Sequence, residues 1–226
     1  MPDPAGAPII TAAPNQVAPR PAPTEATLTT EPSPTRVGEV TEASTVDFTA
    51  QCYELHASPP FGALVRTHNE DVDILAVVSR VWTGSVEPGR RPLARGQGLS
   101  NQADVYRENP ELAEILRTEF RAVVVGFRDA GGSYRQHLPA QPARIHGFVY
   151  RCSADEVGAF TDELDFLRTL IAGGMDTSAD ELAAASVREA ALARRDADDF
   201  RVRAGRELAV LLASDFARLT AVLRRI

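Results

Sequence analysis

The chain has 226 residues, of which 44% are apolar and 6% aromatic, and its formal net charge is −7. A chain of this length holds one or two domains of roughly 100–200 residues each. The acidic balance argues against a general nucleic-acid binder, because such proteins usually carry a basic domain with a pI above ~9.

Lysine is absent, and all 24 basic residues are arginine. This composition excludes a phosphate-binding P-loop, which needs the lysine of its Gly-Lys-Ser/Thr sequence. It also excludes Schiff-base and pyridoxal enzymes, which need a lysine amine, and protein kinases, which need a strand lysine. An arginine-only set of basic residues is typical of a GC-rich bacterial genome.

Residues 1–36 are rich in proline, alanine and threonine. Such a segment cannot bury enough surface to offset the entropy lost on ordering. The composition predicts a disordered tail with polyproline character, serving either as a plain linker or as a partner-binding segment. The first ten residues lack the basic and apolar regions of a signal peptide, and no run of 18 apolar residues follows.

Residues 37–152 alternate apolar and polar positions in short segments, which is typical of half-buried strands. Asp129 to Gly132 read Asp-Ala-Gly-Gly and predict a hairpin turn. One short helical insertion is predicted at residues 108–120. Six or seven strands at this spacing favour a β-barrel or a β-sandwich, and a closed barrel would also remove exposed edges. The predicted strands lie within residues 37–42, 45–55, 61–68, 71–87, 120–129, 133–138 and 144–152.

Residues 153–226 change to a helical period and predict three helices, so the fold class is a mainly β barrel followed by a helical segment (α+β). Ser153 to Glu156 form a capping box that opens the first helix, which ends at Gly173-Gly174. Ser178 to Glu181 form a second capping box, opening a helix to about Arg195. The third helix runs from about Asp199 to the C-terminus.

Two histidines and a cysteine, His137, His146 and Cys152, form a candidate metal cluster. On a strand over residues 144–152, same-face neighbours are about 6–7 Å apart. Three such steps separate His146 from Cys152, too far to share one ion, so a packed strand is predicted. Cys52 and Cys152 form no C-x-x-C pair, which fits free thiols in a reducing cytoplasm.

The segment Thr67 to Asp73 is the most acidic loop and contains His68. A carboxylate beside a histidine suits hydrolytic acid–base catalysis, with His68 and Asp71 as candidates. A turn between two strands is equally rich in Asn and Asp, and the spacing does not match a calcium loop. The turn is the favoured interpretation. Neither a G-x-S-x-G nor a G-x-G-x-x-G sequence is present, so no catalytic, cofactor-binding or metal residue is predicted.

Arg90, Arg91 and Arg95 lie in a turn-rich loop and are the candidate interaction surface. They either contact phosphate or an acidic partner, or are simply solvated. A second candidate surface would bind nucleic acid through aromatic platforms and neighbouring arginines. Its candidate residues are Phe120, Phe127, Tyr134, Phe148 and Tyr150, with Arg121, Arg128, Arg135 and Arg151. Packing in the core is the favoured interpretation of these rings.

The order of elements resembles a known family. A glycine-containing strand at Phe61–Val65 is followed by a strand at Phe120–Gly126. A proline-rich approach, Leu138–Pro142, then leads to the helix start Cys152–Glu156. Over residues 37–172 this order resembles the HAS-barrel family, the β-barrels at the N-termini of HerA-type DNA-translocating ATPases and of ATP synthase head subunits.

The resemblance implies an oligomeric crown that sits above motor domains and recruits partners. The ATPase domain of that family is missing here, so the ATPase would be a separate chain. The predicted function is therefore a non-enzymatic assembly or adaptor module for a HerA/FtsK-type hexameric ATPase in DNA processing or translocation. The alternative is a nucleic-acid-binding barrel. Self-association through the last helix is left open.

Overall fold

The computed structural model describes residues 35–87, 89, 91–173 and 178–226. The tail predicted for residues 1–36 lies almost entirely outside the described residues. The strands are β1 Arg36–Ala43, β2 Asp47–Cys52, β3 Leu64–Asn69, β4 Val72–Ser85, β5 Leu116–Arg128, β6 Tyr134–Arg135 and β7 Phe148–Arg151. The helices are α1 Gln102–Glu108, α2 Leu112–Ile115, α3 Ala154–Phe160, α4 Phe166–Ile171, α5 Ala179–Ala193, α6 Ala197–Leu211 and α7 Phe216–Leu223.

Six strands form a closed antiparallel barrel in the order β2-β1-β7-β3-β4-β5, because β5 pairs back with β2. Ala50 faces Phe120 at this closing seam. The short strand β6 adds to β5 through the hairpin predicted at Asp129, and Gly132 adopts a left-handed φ of 83° in its turn. The prediction of a mainly β barrel of about six strands, followed by helices, is confirmed.

Successive side chains of a strand point to opposite faces of the sheet, so one set of apolar side chains fills the interior of the barrel. Two bulges in the β4–β5 pairing, after Leu75 and after Val78, add local twist and help the ribbon curl. Gly38 allows close approach of β1 and β2, since a Cβ there would lie 2.2 Å from the carbonyl oxygen of Gln51. The main interior side chains are Val40, Phe48, Val65, Ile74, Val78, Phe120, Val124 and Val149.

A second apolar core lies between the outer wall of the barrel and the C-terminal helices. Strand neighbours alternate between the two cores, so Val65 points inward whereas Leu64 points toward the helices. The long apolar runs of β4 and β5 follow from this burial on both faces. Barrel and helices belong to one compact unit. The helices contribute chiefly Phe160, Phe166, Leu170, Leu182, Phe200 and Leu208.

The first predicted helix is interrupted, so α3 and α4 replace one continuous helix. The amide of Gln136 enters the break, where its Nε2 donates to the carbonyl of Phe160 at 2.7 Å and its Oε1 accepts from Phe166 N–H at 2.7 Å. Arg194 also donates to the carbonyl of Gly158 at 2.8 Å. These side chains satisfy helix-end groups that a continuous helix would have paired internally.

The third predicted helix is also two, α6 and α7, and α7 opens where Asp215 Oδ1 accepts from Arg218 N–H at 3.0 Å. The described residues thus contain five C-terminal helices in place of three. No described helix is long and apolar enough to cross a membrane.

Both predicted helix starts are present. Ser153 and Glu156 exchange both bonds of a capping box, at 3.2 and 2.9 Å. Ser178 Oγ accepts from Glu181 N–H at 3.5 Å, while the Glu181 carboxylate pairs with Arg225 at 3.2 Å.

Two predictions within the barrel sequence, residues 37–152, are wrong in their bounds. The helical insertion is placed too late, since helices occupy Gln102–Glu108 and Leu112–Ile115, and Leu116–Phe120 pairs with β4 as strand. The last barrel strand covers only Phe148–Arg151. His146 has a φ of 66° and Gly147 N–H bonds the carbonyl of Arg144 at 2.9 Å, which makes a turn there.

Candidate interaction surface

Arg36, the first residue of β1, lies against two aromatic rings on the outer wall of the barrel. Its Cζ lies 5.0 Å from the ring centroid of Tyr53 and 4.7 Å from that of Phe148. Tyr53 directly follows β2, where its N–H donates to the carbonyl of Val37 at 3.2 Å. Phe148 opens β7 opposite Glu39 of β1. We call Arg36, Tyr53 and Phe148 the aromatic clamp.

The aromatic clamp is open to solvent. Tyr53 is 50% exposed, Phe148 is 45% exposed, and Arg36 is exposed as well. Among the described residues no carboxylate forms an ion pair with Arg36. Cation–π contacts at exposed sites contribute about 0.5–1 kcal/mol per ring.

Glu39 borders the clamp, but its carboxylate is already engaged. The Tyr53 hydroxyl donates to Glu39 Oε2 at 3.3 Å, and His146 Nδ1 contacts Glu39 Oε1. Partial burial and the negative charge of Glu39 raise the pKa of the Tyr53 phenol, which therefore remains protonated and able to donate. Both contacts hold Glu39 beside the clamp without drawing it onto Arg36.

A second arginine–aromatic pair continues this wall toward the helices. The Cζ of Arg66 lies 5.0 Å from the Tyr150 ring centroid. Arg66 differs from Arg36 because its Nε donates to Glu156 Oε1 at 2.7 Å and its Nη1 lies 3.9 Å from Asp73 Oδ1. Its charge is therefore compensated within the fold.

The aromatic residues proposed for nucleic-acid binding do not form one platform. Phe120 lies inside the barrel and is 0% exposed, so it packs in the core, as favoured from the sequence, and offers no stacking surface. Phe127 packs edge-on against His137, and Tyr134 packs edge-on against Phe160. Of the five candidates, Phe148 lies in the clamp and Tyr150 beside Arg66.

The four arginines proposed for the same surface are each paired with a carboxylate. Arg121 pairs with Asp47 at 2.5 Å, and Arg128 pairs with Asp73. The other two pairs are Arg135 with Asp129 at 3.2 Å and Arg151 with Glu189 at 3.6 Å. These positive charges are compensated, which reduces their attraction for phosphate.

Arg90 of the predicted interaction loop lies outside the described residues. Arg91 and Arg95 line one shallow groove of about 230 Å³, together with Leu93 and Leu112 among others. Arg95 Nη1 donates to Asn109 Oδ1 at 2.9 Å and contacts Glu111, so it anchors its own loop. Two of the three predicted arginines, Arg91 and Arg95, thus line the same groove. Arg95 is already bonded to Asn109 and Glu111.

The acidic segment Thr67–Asp73 joins the end of β3 to the start of β4 in a hairpin, and its turn is Glu70–Asp71, so a turn is found as favoured from the sequence. Glu70 adopts a left-handed φ of 53° there. His68 Nδ1 bonds Asp73 Oδ1 at 3.0 Å, whereas the candidate Asp71 lies in the turn itself. Burial acts to raise the pKa of Asp73, but hydrogen bonds from His68 and Arg128 and nearby positive charge lower it overall.

The histidines and cysteine of the candidate metal cluster contact different neighbours. His137 packs on Phe127, His146 contacts Glu39, and Cys152 lies buried under the helices. Across residues 35–87, 89, 91–173 and 178–226, no three His, Cys, Asp or Glu side chains are grouped to hold a metal. Burial raises the pKa of Cys152, and burial with Glu119 raises that of Cys52 to about 11.

Sequence reasoning missed the aromatic clamp because its three members come from separate strands or strand ends. Arg36 lies at the boundary of the proline-rich segment, and only the pairing of β1 with β2 and β7 brings Tyr53 and Phe148 to it. Of the three, only Phe148 is a candidate from the sequence, and no local pattern connects it with Arg36 and Tyr53.

Comparison with known proteins adds no assignment. The sequence matches no family model, and no curated protein matches it.

Proposed function

We propose that the chain is a non-enzymatic assembly module that recruits a separate hexameric P-loop ATPase of the HerA/FtsK type for DNA processing or translocation. The observation that carries the proposal is the exposed aromatic clamp on the wall of a closed barrel. Tyrosine and arginine are enriched where protein interfaces concentrate their binding energy. The resemblance to HAS barrels supports the choice of an ATPase as partner.

The charge distribution favours a protein partner over nucleic acid. The net charge is −7, and the arginines considered for phosphate contact are paired with carboxylates. Non-specific nucleic-acid binding rests on uncompensated positive charge and weakens steeply with salt. A titration of the full chain with single-stranded oligonucleotides at low salt is therefore expected to show no saturable binding.

The direct test is affinity purification of the tagged chain from its native host, followed by mass spectrometry. A P-loop ATPase is expected among the recovered proteins, and the purified pair should then form a complex in sedimentation velocity. Recovery of the tagged chain alone would contradict the proposal.

A matched pair of variants locates the contact. Phe148→Ala is expected to weaken the purified complex at least about tenfold, since truncation of an interface anchor typically costs about 2 kcal/mol or more. Leu192→Ala removes an exposed apolar side chain on α5, 77% accessible, and should leave the affinity unchanged. Equal loss in both variants would place the contact elsewhere.

A further inference from the structure

We infer that the aromatic clamp is a carboxylate-recognition slot, in which Arg36 binds an aspartate or glutamate side chain of a partner protein that also presents apolar residues beside it. This inference rests on the proposed function, because it specifies the chemistry of the partner segment. Its foundation is the pairing of an exposed guanidinium with ring faces that remain open to solvent.

Contacts with two rings restrain the guanidinium before any partner arrives. The centroids of Tyr53 and Phe148 lie 5.0 and 4.7 Å from Arg36 Cζ, so the guanidinium is within cation–π range of both rings. Among the described residues no carboxylate pairs with this guanidinium, which leaves its N–H donors for a partner. A planar fork of N–H donors matches the two oxygens of a carboxylate.

The slot has no internal competitor among the described residues. Arg66 is the corresponding arginine beside an aromatic ring on the same wall, and its Nε donates to Glu156 Oε1 at 2.7 Å. Arg36 lies against two rings, whereas Arg66 lies against one, and no carboxylate from the described residues pairs with Arg36. The comparison shows within one molecule what an occupied arginine–aromatic site looks like, and within the described part of the chain the clamp has no such acid.

The neighbouring Glu39 keeps the slot selective. One carboxylate oxygen of Glu39 accepts a hydrogen bond from the Tyr53 hydroxyl, and the other contacts His146. The bond to Tyr53 helps to orient the tyrosine ring that lies against Arg36. Its negative charge repels any anion along the wall, so a carboxylate is held only where it reaches the N–H groups of Arg36 and makes a charge-assisted pair. The exposed faces of Tyr53 and Phe148 suit apolar side chains flanking that acid.

The test is an NMR titration of the full-length chain labelled with ¹⁵N, in which the Arg36 Nε–Hε resonance is followed. The probe is the capped tripeptide acetyl-Leu-Glu-Leu-amide, and its control is the glutamine twin. The glutamate peptide is expected to give saturable shifts at Arg36, Tyr53 and Phe148. The glutamine twin should bind at least about fivefold more weakly, because it lacks the charge-assisted pair.

Variants separate recognition from general charge. Arg36→Gln should weaken the glutamate peptide at least about fivefold, and Arg36→Lys should fall between it and wild type because the charge remains without the fork. Arg107→Gln removes another exposed arginine, paired with Asp104 on α1, and should leave binding unchanged. Equal binding of both peptides, no shift at Arg36, or tighter binding of an oligothymidylate at these resonances would each overturn the assignment.

The two proposals fail in different experiments. If the native host yields no ATPase, the proposed function falls while the peptide titration still decides the slot. If an ATPase is recovered equally by wild type and by Arg36→Gln, and the glutamate peptide shows no preference, the slot falls and the assembly role stands.

Discussion

Arg66 Nε donates to Glu156 Oε1 at 2.7 Å, and this ion pair joins strand β3 of the barrel to the first turn of helix α3. Both side chains are largely shielded, at 15% and 17% exposure. Glu156 also accepts from Ser153 N–H through its other oxygen, at 2.9 Å. One carboxylate therefore starts the helix and attaches it to the barrel.

Replacing Glu156 with glutamine should destabilise the protein. The amide can still reach the Ser153 N–H, but Arg66 loses its charged partner, and loss of a hydrogen bond to a charged group costs about 1.5–3 kcal/mol. Urea unfolding followed by circular dichroism measures the change. Glu163→Gln, at an exposed position after α3, is the control and should change stability little. An unchanged urea midpoint for Glu156→Gln would show that the ion pair does not contribute to stability.

Asp73 predicts an acid-dependent loss of stability. Because its folded pKa is lowered, its contribution is fully present above the unfolded value of about 3.9 and is lost as the pH falls through the folded pKa. Asp73→Asn should therefore be destabilised at pH 7 by about 1–3 kcal/mol, since Arg128 loses its charged partner. The difference from wild type should shrink toward pH 3, as measured by urea midpoints at both pH values. A constant difference would mean that ionisation of Asp73 does not matter.

Replacing Gln136 should destabilise the protein, because backbone groups at the helix break lose their hydrogen-bond partners. Its amide bonds the carbonyls of Phe160 and Glu163 at 2.7 and 2.9 Å and the N–H of Phe166 at 2.7 Å. Gln136→Ala should cost about 1–3 kcal/mol, because partly buried helix-end groups lose their partners. Thermal unfolding compares this variant with Gln141→Ala, an exposed glutamine on the proline-rich approach. Equal melting temperatures would show that the helix break does not depend on Gln136.

Gly38 predicts a steric effect of substitution that Gly84, another strand glycine, does not share. An alanine there would place Cβ 2.2 Å from the Gln51 carbonyl oxygen, so β1 and β2 would have to separate. Gly38→Ala should cost about 1–3 kcal/mol, as overpacking usually does. Gly84→Ala in β4 meets nothing within 4 Å and should be near neutral. Equal unfolding midpoints for the two variants would contradict the close approach.

The barrel could be predicted because its strands carry a local signal. Alternation at Val37–Glu42 and the turn residues at Asp129–Gly132 each specify an element from neighbouring residues alone. Ser153 with Glu156 did the same for a helix start, where the side-chain contacts span one turn. These elements need no knowledge of the rest of the fold.

The helix breaks and the clamp could not be predicted, because their causes lie far away in the sequence. The stripe from Phe160 to Ile171 reads as one helix, and the side chain that interrupts it, Gln136, comes from the segment before β7. Arg36 and Phe148 are likewise brought together only by the β1–β7 pairing. Patterns within a short window carry no information about such contacts.

Two strand pairings that close the barrel, β2 with β5 and β1 with β7, affect how the chain folds. β2 must find β5 across the β3–β4 hairpin and the loop insertion, and β1 must find β7 near the far end of the barrel sequence. Such non-local pairing loses loop entropy before it gains contacts, which slows folding. The β3–β4 hairpin is expected to form early and the β1–β7 seam late. Until Phe148–Arg151 docks, β1 presents an unpaired edge open to pairing with other chains.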